Sequence, residues 1–456
     1  MTEGRCRETG LLEQITEAGI VGCGGAGFPT GRKLDCKVEW LIVNGAECEP
    51  LLRTDRYLMR HNGEEIIRAA EAAGRLVGAE NVVIALKESY EQECAALERV
   101  LAERDSEVSL FLLQSYYPAG DEQMVVYEVT GRVVPPAGLP LDVGAVVSNV
   151  ATMKAIGDAM EGRPFTEKYV TVTGAVKSPC IVKAPVGTAI LECIRLAGGT
   201  EEGRYSVVNG GPMMGRVMSW AEAAEAVVTK TTSGLIVLPE DHFLVSKAST
   251  RLERMKNLAA SSCIQCSLCT ELCPRYLLGH PLEPHKIMRK FASGAGISEI
   301  LNDPAVREAA ICCQCGICEL YACPMGLSPR RINGVIKEEL AKANLSYIRK
   351  GTEWECNPER EVRKVPTKRA ASRAGVLSYY DGEIDSLLCA RPERVKIPLR
   401  QGIGAVSEPV VSDGDFVSSG QLIARCPKHQ LGTNHHAAIA GVVRREGDAI
   451  VIEGRK

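Results

Sequence analysis

CIQCSLCTELCP, residues 263–274, and CCQCGICELYACP, residues 312–324, are the stretches from which the rest of the chain is read. In the first, Cys263, Cys266, Cys269 and Cys273 are spaced x2, x2, x3 and followed by Pro274; in the second, Cys312, Cys315, Cys318 and Cys323 are spaced x2, x2, x4 and followed by Pro324. Three thiolates at i, i+3 and i+6 on a tight loop converge on three corners of an iron–sulfur cube, and a fourth cysteine followed by proline leaves the loop and ligates from outside it. Zinc also takes four cysteines, but a structural zinc site draws on two separated C-x2-C pairs rather than three cysteines in one loop plus a Cys-Pro. The spacing therefore predicts two 4Fe-4S clusters and one-electron transfer. Cys313 lies inside the second run but off its register and is read as a spare.

The runs resemble those of bacterial ferredoxins, whose fourth cysteine serves the other cluster. The resemblance implies one cluster on Cys263, Cys266, Cys269 and Cys323 and another on Cys312, Cys315, Cys318 and Cys273, with the extra residue before Cys323 as a departure. The other eleven of the 19 cysteines are scattered; thiolate ligands and unpaired thiols point to a reducing compartment, not a disulfide framework. With 456 residues, 45% apolar and 24% charged, the chain reads as an ordinary soluble protein of about three to four domains. A net charge of −3 argues against nucleic acid as a partner. Met1 to Gly10 mixes both signs of charge and lacks the apolar core of a signal peptide, and no run reaches the about 18 apolar residues of a membrane span. The expected location is the cytoplasm, or a compartment enclosed in it.

The N-terminal third opens with a short amphipathic helix at 11–20, followed by the glycine loop of residues 22–33, GCGGAGFPTGRK. Glycines let backbone N–H groups approach a phosphate, but a tight structural turn reads the same way, and no G-K-[ST] follows to make a Walker motif. EWLIVNGAECEP, residues 39–50, is a buried-type strand running into an acidic turn. Helical periodicity at 64–77 and 91–102 alternates with strands at 81–86 and 107–113, which implies a parallel, Rossmann-like α/β sheet with ligands beyond its carboxyl edge.

GGAGFPTGRK (24–33) followed by VNGAECEP (43–50) resembles the flavin subunit of respiratory complex I and the related RnfC electron-transport subunit. YPAGDEQ (117–123), GLPLDVG (138–144) and SNVAT (148–152) extend the match. The resemblance implies FMN binding by Gly22, Gly24, Gly25, Gly27, Lys33, Asn44, Glu47, Glu49, Glu122, Asn149 and Thr152, with Phe28 stacking on a nucleotide. NADH is the implied donor, although YPAGDEQ is shorter than the glycine- and glutamate-rich stretch at the nicotinamide site of the complex I subunit.

From Lys168 the pattern turns to short strands: YVTVTGAV at 169–176, a helix at 188–197, and VVNGGPMMG at 207–215. This resembles the SLBB (β-grasp) module, which implies either ligand binding, cobalamin included, or a spacer between flavin and clusters. Thr229 to Gly234 (TKTTSG) receives no task. Helices at 252–260, 283–291 and 331–343 would surround the clusters, with His280 and His285 in surface or capping roles. Residues 346–392 read as a linker with some helix. The run GDFVSSGQLIA, 414–424, looks like a barrel-sandwich hairpin without the Met-Lys of a carrier domain.

The fold expected is thus multidomain α/β: a Rossmann-like flavin domain (1–165), an SLBB module (166–248), a ferredoxin-like α-helical domain with two 4Fe-4S clusters (249–345), a linker (346–392) and a C-terminal barrel-sandwich hybrid (393–456). RnfC carries its barrel at the N-terminus; the C-terminal placement here and the x4 spacing resemble the cobalamin reductases of propanediol-utilisation microcompartments, the PduS family. That resemblance implies an NADH-dependent oxidoreductase that reduces cob(III)alamin and cob(II)alamin for reactivation of a B12 enzyme, with an adenosyltransferase as candidate partner, inside a bacterial microcompartment. The alternative is an RnfC-like subunit or a donor to an amino-acid reductase, with a protein as acceptor. A scaffold with structural clusters would bind no flavin.

Overall fold

The computed structural model describes residues 3–349, 351–380 and 382–454, with side chains from Gly10 onwards; residues 1 and 2 of the segment read for a leader lie outside the described residues. Strands with unbroken apolar runs suit a parallel sheet covered on both faces. Such a sheet forms from Ser109–Leu113, Asn81–Lys87, Trp40–Asn44 and Ala145–Asn149, in that order and all parallel. Leu41 and Val43 pack under the helices Gly63–Val77 and Val150–Met160, while Ile42 on the opposite face packs under Glu122–Thr130. The register pairs Asn44 with Asn149, so two candidate side chains arrive next to each other at the carboxyl edge.

The β-grasp module is a six-stranded mixed sheet centred on the parallel pair Glu167–Gly174 and Gly234–Pro239. Helices Leu252–Ser262, Pro284–Ala292 and Pro329–Lys342 share one core around the cysteine runs through Met255, Ile287, Phe291, Ile332 and Ile336. The C-terminal unit consists of a four-stranded and a three-stranded sheet closed over Val395, Ile397, Ile423, Val443 and Ile450.

Residues 346–392 differ from the expected linker. Val365–Pro366 pairs with Tyr116–Tyr117 of the flavin domain, the helix Thr367–Arg373 fills a core shared by several units, and Leu387–Cys389 adds an edge strand to the β-grasp sheet. Strands of two or three residues carry no periodicity of their own; their partners define them. Within this strap Arg360 is 2% exposed and donates to the Glu128 carboxylate and, at 3.0 Å, to the Tyr116 hydroxyl.

His280 also departs from its surface or capping reading. It is 2% exposed, and its Nε2 lies 2.8 Å from the Val134 carbonyl of the flavin domain. Burial pushes its imidazole down to about 4. His285 is half-buried, with Nδ1 2.8 Å from Thr270 Oγ1.

Candidate redox centre

The two cysteine runs share one backbone solution. Gln265 and Ser267 in the first, and Gln314 and Gly316 in the second, occupy left-handed φ values of 55°, 63°, 59° and 83°. Alternating handedness turns successive N–H groups to one side, making a concavity suited to an anionic cluster. One cavity is lined by Cys263, Cys266, Cys269 and Cys323, the other by Cys273, Cys312, Cys315 and Cys318, with Cys313 also on its wall. Each cavity thus draws three cysteines from one run and the fourth from the other. The extra residue before Cys323 is absorbed by a π-type turn, Ile317–Ala322, where the first run has a short α-turn, Leu268–Glu271; an i→i+5 turn takes up one inserted residue.

Among the described residues no three His, Cys, Asp or Glu converge closely enough to hold a single metal ion. The thiols ring a cavity instead, which fits a cubane with iron at separate corners and not a zinc ion that needs every sulfur about 2.3 Å from one centre. Leu327 N lies 3.4 Å from Cys323 Sγ, and Asn333 Nδ2 lies 3.7 Å from Cys312 Sγ, contacts of the kind that tune cluster potentials. Exposure separates the cavities: Cys266 is exposed beside Ile264 and Met325, whereas Cys273, Cys312, Cys315 and Cys318 are all buried.

At the sheet's carboxyl edge, the glycine loop lies against the start of the helix Val150–Met160. Asn149 caps that helix, its Oδ1 accepting from Ala151 N at 2.9 Å, and its Nδ2 donates to Asp55 Oδ2 at 2.6 Å. Thr152 Oγ1 accepts from Cys23 N at 3.0 Å, and a Cβ on Gly24 would come within 3.2 Å of the Asn149 side chain. Asn44 Nδ2 donates to the Gly120 carbonyl at 2.9 Å, and Lys33 pairs with Glu122 at 2.6 Å. Gly25 faces open space, while Gly22 N–H closes the loop on the Phe28 carbonyl at 2.9 Å. Gly24, Asn44, Asn149 and Thr152 are thereby brought together at the sheet edge, with Lys33 and Glu122 joined to each other. Gly27 is engaged elsewhere, since a Cβ there would meet Thr231 and Gly402, and Phe28 is exposed.

Three half-buried acids, Glu47, Glu49 and Asp55, lie at and just after the turn that follows the first strand. Burial, then the neighbouring Asp55, pushes Glu47 up to about 8; burial pushes Glu49 to about 7 and Asp55 to about 6. Glu47 Oε2 has no hydrogen-bond partner among the described residues, and its backbone carbonyl accepts from Tyr90 Oη at 2.7 Å. An orphaned buried carboxyl oxygen beside a glycine loop and a capped helix start fits a flavin, whose ring would offer the carboxyl an N–H and whose phosphate would be favoured at the helix start.

Glu49 is drawn into a seam between units. Its Oε2 accepts from Met213 N of the β-grasp module at 2.9 Å, and its Oε1 lies 3.2 Å from the Tyr117 hydroxyl, itself 2.6 Å from the Cys315 carbonyl. Tyrosine has one proton and a carbonyl only accepts, so a protonated Glu49 is the form that fills every hydrogen bond here. Nearby, Arg275, two residues after Cys273, grips Asp121 with contacts of 2.6 and 2.9 Å. Asp55, Tyr117, Asp121 and Arg275 were missed in sequence reading. Asp121 and Tyr117 lay within the quoted YPAGDEQ, but their partners are about 150 to 200 residues distant.

The chain matches the Nuo51 FMN-binding domain over residues 15–158, the SLBB domain over 169–217, a 4Fe-4S dicluster domain over 262–328 and the RnfC barrel sandwich hybrid domain over 383–455. Fold and matches define the class: an oxidoreductase built to carry FMN and two 4Fe-4S clusters. Cobalamin reductase PduS of Citrobacter freundii is 39% identical over 97% of this chain and 96% of its own length. Cobalamin reductase PduS of Salmonella typhimurium is 40% identical over 95% and 94%. One component of the proton-translocating ferredoxin:NAD(+) oxidoreductase complex of Clostridium ljungdahlii is 35% identical over 59% of this chain and 56% of its own. The chain belongs to the PduS family of cobalamin reductases.

Proposed function

We propose that this protein is an NADH-dependent cobalamin reductase. The flavin-domain residues would hold FMN, which when bound would supply conversion of the electron pair of NADH into single electrons, and the eight cysteines would hold the clusters that relay them one at a time to cob(III)alamin and cob(II)alamin. The carrying observation is near-full-length identity to cobalamin reductases, the C-terminal barrel included. Gly22, Gly24, Gly25, Lys33, Asn44, Glu47, Glu122, Asn149 and Thr152 are assigned to the flavin; Gly27, Phe28 and Glu49 shape its surroundings. Cys263, Cys266, Cys269 and Cys323 are assigned to one cluster and Cys273, Cys312, Cys315 and Cys318 to the other. The units are taken as 1–165, 166–248, 249–345 and 393–456, joined by the strap at 346–392.

The seam supports an order for the clusters. The buried Cys273 cavity adjoins the flavin domain through Tyr117 and Arg275, and the Cys266 cavity opens to solvent. Tyr117, Glu49 and Arg275 hold the inner loop against the flavin domain, and the outer loop presents Cys266, Ile264 and Met325 to the acceptor. No described helix is long and apolar enough to cross a membrane. Work inside a microcompartment beside an adenosyltransferase is the finer part of the proposal, tested by copurification with shell proteins.

The test of the main reading is anaerobic: reconstitute with iron, sulfide and FMN, add NADH, then titrate hydroxocobalamin. Flavin bleaching followed by the cob(II)alamin absorbance supports it. Bleaching with cobalamin untouched overturns it in favour of a protein acceptor.

A further inference from the structure

Four lysines are at least nine-tenths buried: Lys87, Lys168, Lys230 and Lys247. Three of them have oxygen acceptors. Lys87 Nζ donates to the Glu47 carbonyl, Lys230 Nζ to the carbonyls of Gly19 and Asn434, and Lys247 Nζ to those of Gly326 and Leu327. Lys168, 4% exposed, differs: among the described residues its ammonium forms no ion pair and no hydrogen bond, and its named contact is the Phe165 ring, 6.0 Å away. The Lys230 ammonium lies 5.7 Å from the same ring. Asp55 acts on Lys168 through space but is already bonded to Asn149. An ammonium on an otherwise buried side chain, with no direct hydrogen-bond acceptor and its nearest carboxylate acting only through space, is under-satisfied unless a ligand meets it.

Lys168 opens into a cavity of about 690 Å³ where the flavin domain, the β-grasp module and the barrel meet. Its other cations are matched: Lys154 pairs with Asp158 at 2.5 Å, Arg163 with Asp158 at 2.6 Å and with Glu161, and Lys183 with Glu167 at 2.7 Å. Cys23 of the glycine loop and Ala151 in the first turn of the eleven-residue helix Val150–Met160 also line it. The Cys23 and Ala151 N–H groups are taken by Thr152 and Asn149, so it is the Lys168 point charge, aided by the helix dipole at Val150–Met160, that favours a phosphate here.

We propose that this cavity is a phosphate subsite in which Lys168 binds the anion of a phosphorylated small molecule. That phosphate belongs either to the bound flavin mononucleotide, in which case the inference rests on the flavin reading, or to a second ligand that this reading does not require.

The test compares the full, cluster-reconstituted wild type with Lys168→Met and Lys168→Arg in phosphate-free buffer. Affinities for FMN and riboflavin are read by fluorescence quenching, and binding of inorganic phosphate to the flavin-loaded chain by calorimetry. Loss of a charge-assisted bond weakens a ligand about 10- to 100-fold. With FMN as the source, Lys168→Met loses FMN affinity by that factor, keeps its riboflavin affinity, and Lys168→Arg recovers much of the loss. With a second ligand, both flavins bind unchanged, and wild type but not Lys168→Met takes up inorganic phosphate. Should Lys168→Met fold poorly, a phosphate-dependent rise in the melting temperature of wild type and Lys168→Arg supports the proposal, and its absence in both overturns it. Equal binding of FMN, riboflavin and phosphate by wild type and Lys168→Met also overturns it. If wild type binds neither flavin, the flavin reading fails while phosphate uptake still reports on Lys168.

Discussion

Glu47 shows what burial does to a single carboxyl. Its acid is held up to about 8 against an ordinary 4.5, so the folded chain keeps a proton that the unfolded chain releases. The associated stability is complete below 4.5 and is lost as pH rises through 8. Glu47→Gln removes that titration, so between pH 5 and 8.5 the flavin-free variant should gain on wild type by on the order of 3 kcal/mol, read from denaturant midpoints. Parallel pH profiles would mean that Glu47 is ionised in the folded chain. A second residue-scale test uses equivalent positions of the two runs. Gly316, at φ 83°, has the Met213 carbonyl 2.8 Å from where a Cβ would sit, whereas Ser267 holds the same handedness with a side chain. Gly316→Ala should cost about 1–3 kcal/mol and reduce cluster content, while Ser267→Gly should stay within about 1 kcal/mol of wild type. Iron per chain and melting temperature report both.

At the scale of elements, crossing of the two runs is a claim about pairs of cysteines. Cys266→Ala with Cys323→Ala should remove no more iron than either alone, because both empty the same cavity; Cys266→Ala with Cys273→Ala should remove both clusters. Iron analysis and the electron paramagnetic resonance of the reduced protein separate the outcomes, and the reverse pattern would return each fourth cysteine to its own run. The crossing was legible through the resemblance to bacterial ferredoxins; the spacing and the proline say only that the fourth cysteine leaves its own loop. The parallel sheet was legible too, since strands such as WLIVN and NVVIAL alternate with segments of helical periodicity. The strap was not, because two-residue strands such as Val365–Pro366 exist through their partners. Within the flavin cradle the glycine loop, Asn44 and Asn149 were legible as a motif. Asp55 was not, since its role depends on an Asn149 that arrives from another strand. His280 looked like a surface residue because a burial contributed by the Val134 carbonyl leaves no trace near position 280.

For the whole molecule the question is what keeps the cluster domain in register with the flavin domain. Apolar packing across the seam is supplied by Leu51, Tyr117, Met213, Ile317 and Ala370, but such contacts are tolerant of sliding. Direction comes from the Arg275–Asp121 pair. Asp121 also caps the helix Glu122–Thr130, accepting from Gln123 N and Met124 N at 3.1 and 3.3 Å, and the first residue of that helix, Glu122, holds Lys33 of the glycine loop. Position therefore passes from the Cys273 loop to the glycine loop through this guanidinium, beside the Tyr117–Cys315 and His280–Val134 contacts that also cross the seam. Both side chains are largely buried, at 8% and 13% exposed, so Arg275→Met leaves an uncompensated carboxylate and should cost about 3–5 kcal/mol. Arg275→Lys keeps the charge but loses the two-pronged contact and should fall between. Asp121→Asn combined with Arg275→Met removes both charges and should recover part of the loss, which a purely steric role for Arg275 does not predict. In stopped-flow absorbance, NADH should bleach the flavin of Arg275→Met at close to the wild-type rate while cluster bleaching lags. If the two signals stay as tightly coupled as in wild type, the pair stabilises the fold without setting the register between the two centres.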